Sequence, residues 1–143
     1  MSSPSKYFSI KEFVPPEIYN QFSDKAWQFI DPRVTLLADF IRDYFGKPMT
    51  INDWYRGGTL TLRGFRPPTT TVGGTLSQHK FGRAFDFNIV GMTPHEIYDK
   101  IMSDKLTFMV KGLTTMENIE YTQTWNHVDV RYTGSLDITI VNP

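Results

Sequence analysis

The stretch SQHKFGRAFDF, residues 77–87, carries residue types that can bind a metal ion or move a proton. His79 and Asp86 flank two small residues, Gly82 and Ala84, just where the alternating segment AFDFNIV begins. Alternation in an extended strand places Asp86 on the face opposite the phenylalanines. The small residues let the backbone turn tightly and approach the sheet, so that the histidine and the aspartate can reach one point in space.

A second candidate pair lies in WNHVDVRY near the end of the sequence. Strand alternation puts His127, Asp129 and Arg131 on one face of that segment. If this strand pairs near AFDFNIV, His79, Asp86 and His127 converge. Three protein ligands with a fourth position left to water are typical of a catalytic zinc site, where the pKa of the bound water falls to about 7. The alternative from spacing alone is an ordinary hydrogen-bonded histidine–aspartate pair.

The composition indicates one globular domain. The chain has 143 residues, of which 40% are hydrophobic and 15% aromatic, which suits a packed core. Fifteen basic residues balance fifteen acidic ones, so long-range attraction to nucleic acid or to an anionic membrane is not indicated, and we expect neither as a partner. Because there is no cysteine, a metal site must use nitrogen and oxygen ligands.

No targeting or membrane segment is predicted. The opening MSSPSKYFSIKEF lacks a basic region followed by an apolar stretch, and no run is long enough to span a bilayer. We therefore expect cytoplasmic synthesis without a signal peptide. A monomer is a separate expectation.

Helices are predicted in the first third of the chain and once more in the middle. In DPRVTLLADFIRDYFG, Asp31 suits the N-cap, Pro32 the first turn and Gly46 the C-terminal turn. In TPHEIYDKIM, Thr93 and Glu96 form a capping box. The segments PPEIYNQF and KAWQFI are predicted to be shorter helices.

Short strands are predicted for the rest of the chain. PMTINDW is strand-like, and residues 55–78 form a long loop rich in glycine, threonine and proline, of the kind that is usually functional or mobile. The strands that follow are predicted in LTFMVKGL, NIEYTQT, WNHVDVRYT and LDITIV, and short connections favour antiparallel pairing. The predicted fold is α+β, a single domain over residues 1–143 with N-terminal helices packed on a small antiparallel sheet.

The two candidate segments resemble the motifs of a known family. SQHKFGRAFDF matches the Ser-x-His-x-x-Gly-x-Ala-x-Asp motif of the M15 zinc peptidases, and TWNHVDVR resembles their Trp-x-His-x-Asp segment. YFSIKEFV, KPMTINDW and RGFRPP are similar to one compact phage and bacterial subgroup. The resemblance implies a Hedgehog/DD-peptidase-like fold and Zn²⁺ held by His79, Asp86 and His127.

The resemblance leaves the general base open. Many family members carry Glu or Asp three residues before the last histidine ligand, where this chain has Thr124. We expect Glu120 to act as the base if EYTQTW folds back over the metal, with Asp129 as the next choice. Asp129 can instead orient the His127 imidazole, and either carboxylate can be a solvated strand residue.

An arginine before the first motif is expected to stabilise the oxyanion or to hold the substrate carboxylate, because guanidinium offers a fixed fork of donors. Arg66 is our first choice, and Arg63 and Arg56 remain as alternatives. Ser77 can support the site or cap a turn. Trp125 can wall the substrate cleft or pack in the core.

The sequence therefore predicts a zinc-dependent peptidase, a hydrolase that cuts the peptide stem of bacterial peptidoglycan. The resemblance covers murein endopeptidases that act at L-Ala-D-Glu and carboxypeptidases that act at D-Ala-D-Ala, and nothing in the residues selects one bond. A protein made without a signal and released onto the cell wall fits a phage endolysin. The alternative is a catalytically impaired zinc module that binds the cell wall or a protein, including a phage structural component, and Thr124 motivates it.

Overall fold

A computed structural model describes residues 3–143, so Met1 and Ser2 of the predicted leaderless start lie outside the described residues. Its helices are α1 (Pro16–Phe22), α2 (Pro32–Phe45), α3 (Pro94–Ser103) and α4 (Lys105–Val110). Its strands are β1 (Met49–Thr50), β2 (Ala84–Ile89), β3 (Thr115–Glu117), β4 (Asn126–Asp129) and β5 (Thr139–Val141). Short 3₁₀ turns occupy Ile10–Glu12, Ser23–Phe29, Trp54–Arg56 and Gln78–Phe81. None of the helices in the described part of the chain is both long and apolar enough to cross a membrane.

The two capped helices are confirmed at the predicted residues. The Asp31 carboxylate accepts a hydrogen bond from the Arg33 backbone N–H, and Gly46 ends α2 in the left-handed conformation. The capping box of Thr93 and Glu96 starts α3. Both helices bury an apolar face in the same core as the sheet. The α+β class is therefore confirmed.

The prediction of an all-antiparallel sheet is wrong for one pair. The strand order is β1-β2-β4-β3-β5, and β3 pairs with β5 in parallel while the other pairs are antiparallel. After β4 the chain reverses direction, but β5 lies beyond β3 instead of beside β4. Because β3 is itself antiparallel to β4, β5 runs in the same direction as β3.

Two predicted strands are also wrong. The segment LTFMVKGL lies largely in helix α4, where Phe108 is buried while Leu106 and Val110 are exposed. Periodicity cannot tell a helix from a strand in such a short apolar run. At the start of α4 the Asp104 carboxylate accepts a hydrogen bond from the Thr107 hydroxyl. The strand expected in NIEYTQT is displaced, since β3 ends at Glu117 and turns follow it.

The sheet has one apolar face and one polar face. Phe85, Phe87, Met116 and Val128 are fully buried in the core on the first face. On the opposite face, Asp86 pairs with His127 and Glu117 pairs with Val141. One step beyond the paired residues of β3 and β4, the same register brings Glu117 opposite His127. One row of side chains across β2, β4 and β3 thus carries the polar residues Asp86, His127 and Glu117.

Replacing Gly82 by alanine should destabilise the protein. Gly82 has φ +67, and a Cβ atom there would lie 1.8 Å from the Phe29 carbonyl oxygen. Left-handed strain alone costs about 1–3 kcal/mol for a non-glycine residue, and the clash adds to it. The free energy of unfolding, measured by urea denaturation, checks this.

Gly74→Ala is the matched control, because Gly74 has no positive φ and nothing lies within 4 Å of the added Cβ. Its effect should stay within about 0.5 kcal/mol. Equal stability of the two variants would contradict the tight approach of Gly82 to the Phe29 backbone.

Candidate metal centre

Three side chains converge on one point at the polar face of the sheet. His79 Nε2 lies 3.2 Å from His127 Nδ1 and 3.3 Å from Asp86 Oδ1. His127 Nδ1 lies 2.9 Å from the same Asp86 oxygen. All three residues are buried, and their ligand atoms form a group that can hold a metal ion. The convergence expected from the sequence is therefore present.

Different elements position the three ligands. Asp86 and His127 are direct partners in the β2–β4 ladder, so their side chains leave the same face side by side. His79 comes from the 3₁₀ turn Gln78–Phe81, which Gly82 ends in the left-handed conformation. The His79 carbonyl accepts a hydrogen bond from the Arg66 backbone N–H at 3.0 Å, which ties this turn to the preceding loop.

The outer partners of the imidazoles determine which nitrogens carry protons. His79 Nδ1 lies 2.8 Å from the Gly64 carbonyl oxygen, which can only accept, so it carries the N–H. His127 Nε2 lies 2.9 Å from Asp129 Oδ2 and donates to that carboxylate. In their neutral forms both rings therefore direct a lone pair at the point that Asp86 also faces. Three lone-pair-bearing atoms this close, two nitrogens and a carboxylate oxygen, repel one another unless a cation lies between them.

The electrostatics of the cluster agree with a site built for positive charge. Burial by itself raises the pKa of Asp86, but the charge of His79 and the hydrogen bonds of both histidines bring it far below its ordinary value. Burial by itself lowers the pKa of His127, whereas its hydrogen bonds with Asp129 and Asp86 raise it to about 10. These contacts therefore favour a positive charge at His127 Nδ1, and a metal ion bound there would take the place of a proton.

A carboxylate that the sequence analysis missed lies next to the ligands. Glu117 Oε1 is 3.8 Å from His127 Nδ1, and its side chain is 16% exposed. Burial is the main cause of a raised pKa for Glu117, and the charge of His127 opposes it. The alternation of Thr115, Met116 and Glu117 could have indicated a strand with an outward carboxylate. Its register with His127 could not be read from the sequence.

The structure does not bring Glu120 to the metal ligands. Glu120 follows the end of β3 in a turn, its side chain is 70% exposed, and Oε1 lies 3.7 Å from His95 Nε2. Its backbone N–H donates to the Asn118 side chain within this turn. Thr124 is exposed, and its carbonyl accepts a hydrogen bond from Asn88. The expected fold-back of EYTQTW over the metal is thus absent, because the turns direct Glu120 outward.

Asp129 is fully buried and contacts the outer nitrogen of His127, away from the convergence point. Arg131 donates to Asp129 through Nε and through a terminal nitrogen, at 2.8 and 2.5 Å. Although burial raises the pKa of Asp129, these hydrogen bonds with His127 and Arg131 lower it below its ordinary value. The geometry fits the orienting role for Asp129 and not that of a base.

Of the three candidate arginines, Arg66 reaches the site. A terminal nitrogen lies 3.4 Å from Asp86 Oδ2, while Nε donates to the Leu62 carbonyl at 2.8 Å. Arg63 donates to the Asn88 side chain at 2.6 Å. Arg56 donates to the Thr50 hydroxyl at 2.9 Å in an exposed position. Burial lowers the pKa of Arg66, which the charge of Asp86 opposes.

A cavity of about 410 Å³ opens over this face of the sheet. The three ligands line it together with Glu117 and Arg66. Ser77 and Trp125 line it as well, which places both sequence candidates at the cavity wall. The Ser77 side chain makes no capping hydrogen bond to the turn that follows it. Comparison of the chain with models of protein families, with curated proteins and with solved structures found no match.

Proposed function

We propose that this protein is a zinc-dependent peptidase that hydrolyses the peptide stem of bacterial peptidoglycan. One observation carries the proposal: His79, Asp86 and His127 direct three ligand atoms at one point on the wall of an open cavity. The remaining features of the cavity support the same chemistry.

The ligand set suits zinc. Ligands that stand about 2.0–2.1 Å from a tetrahedral zinc ion lie roughly 3.3 Å from one another. The observed separations of 2.9, 3.2 and 3.3 Å are close to this value. Two imidazoles and a carboxylate with an open side form the donor set of catalytic zinc. When bound, zinc supplies Lewis-acid activation of a water molecule.

Glu117 supplies the base in this proposal. Hydrolysis of a peptide bond needs a group that takes a proton from the attacking water and returns it to the leaving amine. The Glu117 carboxylate borders the same cavity as the ligands, and burial raises its pKa toward the range in which a carboxyl can accept and return a proton. Glu117 thus takes the role that the sequence analysis assigned to Glu120.

Arg66 supplies a positive charge to the same cavity. Its guanidinium is anchored by the Leu62 carbonyl and approaches Asp86, so it is held at the edge of the ligand cluster. A fixed guanidinium stabilises an oxyanion or holds a carboxylate of the substrate. Both roles suit a stem peptide, which carries free carboxylates near its scissile bonds.

The substrate class is inferred from the two sequence motifs and is consistent with the cavity. About 410 Å³ falls in the range of small-ligand sites, which suits a few residues of an extended peptide. Glu117 also weakens the case for an impaired binding module. The binding-module alternative rested on Thr124, which cannot act as a base, but Glu117 of β3 supplies a carboxylate to the cavity.

The zinc-loaded protein, incubated with purified peptidoglycan, should release peptide fragments and create new amino termini. Mass spectrometry of the products identifies the bond that is cut. A parallel incubation with a chelator should release nothing, and added zinc should restore cleavage. A protein that binds zinc but releases nothing from walls of several stem compositions would favour the binding module.

A further inference from the structure

We propose that Arg131 is a positioning residue for the metal centre: through Asp129 it holds His127 in the orientation that directs Nδ1 at the cation. The inference rests on the proposed metal site, and it adds a residue that touches none of the three ligands. Arg131 lies two residues beyond the end of β4, and the sequence alternation places it on the same face as His127 and Asp129.

The contacts form a chain of three side chains. Arg131 Nε donates to Asp129 Oδ1 at 2.8 Å, and a terminal nitrogen donates to Oδ2 at 2.5 Å. The Arg131 backbone N–H adds a third hydrogen bond to Oδ1 at 3.2 Å. Asp129 Oδ2 also accepts from His127 Nε2 at 2.9 Å. A planar fork on both carboxylate oxygens fixes the plane of the carboxylate, and the histidine follows that plane.

The backbone around Arg131 is also fixed. The Thr114 hydroxyl donates to the Arg131 carbonyl at 2.6 Å, and the Thr114 N–H donates to the Asp129 carbonyl at 3.1 Å. The Val130 N–H donates to the Arg83 carbonyl at 3.0 Å. These backbone hydrogen bonds therefore fix the position from which the guanidinium reaches Asp129. Arg131 also lines the cavity, and 30% of its side chain is exposed.

Loss of the guanidinium has a defined consequence. The fully buried Asp129 carboxylate would keep His127 and the Arg131 backbone N–H as partners but would lose the fork that holds both of its oxygens. The direction of the imidazole toward Asp86 would then be less firmly fixed. Partners of metal ligands of this kind typically change metal affinity 10- to 100-fold when they are removed.

The test measures zinc affinity of the full chain by competition with a chromophoric chelator. Arg131→Gln should bind zinc 10- to 100-fold more weakly than the wild type. Arg131→Lys, which keeps the charge without the fork, should recover part of the loss and also serves if the glutamine variant does not fold. Cobalt(II) in place of zinc gives a second readout, since its visible spectrum should change in Arg131→Gln.

Arg33→Gln is the matched control. Arg33, at the start of α2, makes the same forked contact with Asp31, at 3.0 and 2.6 Å. As in the pair of Arg131 and Asp129, the aspartate lies two residues before the arginine. Its loss should leave zinc affinity unchanged. Thermal unfolding of the metal-free variants separates a general stability effect from an effect on the site.

Unchanged zinc affinity in Arg131→Gln would overturn the inference. If the melting temperature of the metal-free variant fell at the same time, the role of Arg131 would be structural only. A raised KM for peptide with unchanged zinc affinity would assign Arg131 to substrate contact instead. Failure of the wild type to bind zinc is a separate result, since it would remove the proposed function itself.

Discussion

His79→Ala should abolish stoichiometric zinc binding and reduce peptidoglycan hydrolysis to the level seen with a chelator. His79 supplies one of three ligand atoms, and its Nδ1 is held by the Gly64 carbonyl. No other histidine is available to replace it, because His127 already contributes to the site and His95 lies at the start of α3. Asp86→Ala should have the same outcome, since it removes the charged ligand.

The measurement combines metal content with thermal unfolding. A ligand that binds only the folded state stabilises it by about 4 kcal/mol at a concentration 1,000 times its dissociation constant. Zinc should therefore raise the melting temperature of the wild type, whereas it should not move that of His79→Ala. Activity and zinc-dependent stabilisation should disappear together.

His95→Ala is the control for histidine loss. The His95 side chain is 50% exposed and faces Glu120 outside the ligand cluster. Its replacement should preserve zinc binding and hydrolysis. If His79→Ala retained zinc and activity, the proposed metal centre would be wrong, whatever zinc binding and hydrolysis His95→Ala showed.

Glu117→Gln should keep zinc and lose about 10²–10⁴-fold in kcat. Glutamine preserves the size of the side chain but cannot accept the proton from water. Glu117 lies 3.8 Å from His127 Nδ1 and is not one of the three ligands, so metal affinity should change little. Steady-state hydrolysis of a synthetic stem peptide, with zinc content measured on the same samples, checks both parts.

Glu120→Gln provides the matched comparison, because it makes the same chemical change three residues away. Glu120 is 70% exposed and contacts His95, so this variant should retain wild-type zinc content and turnover. The opposite pattern, with turnover lost in Glu120→Gln and kept in Glu117→Gln, would restore the base expected from the sequence. It would also require the turn after β3 to close over the metal.

Local signals predicted the elements that have their own start and stop residues. The caps at Asp31 and Thr93 define α2 and α3 without help from the rest of the fold. The segment LTFMVKGL has no such signal of comparable strength, and its assignment as α4 depends on Phe108 packing against the aromatic residues of α2. The parallel β3–β5 pair depends on where the chain crosses the sheet, which no short segment records.

The sequence by itself indicated His79, Asp86 and His127 as candidate ligands, because alternation and turn residues display them and because their two segments resemble the M15 motifs. It could not place Glu117 beside His127, since that depends on the register between β3 and β4, a pairing of residues far apart in the chain. Tertiary structure also decided that Asp129 faces the outer nitrogen of His127 and that Glu120 points away. Side-chain type and alternation are local properties, whereas the neighbour that a side chain meets across a sheet is set by the whole fold.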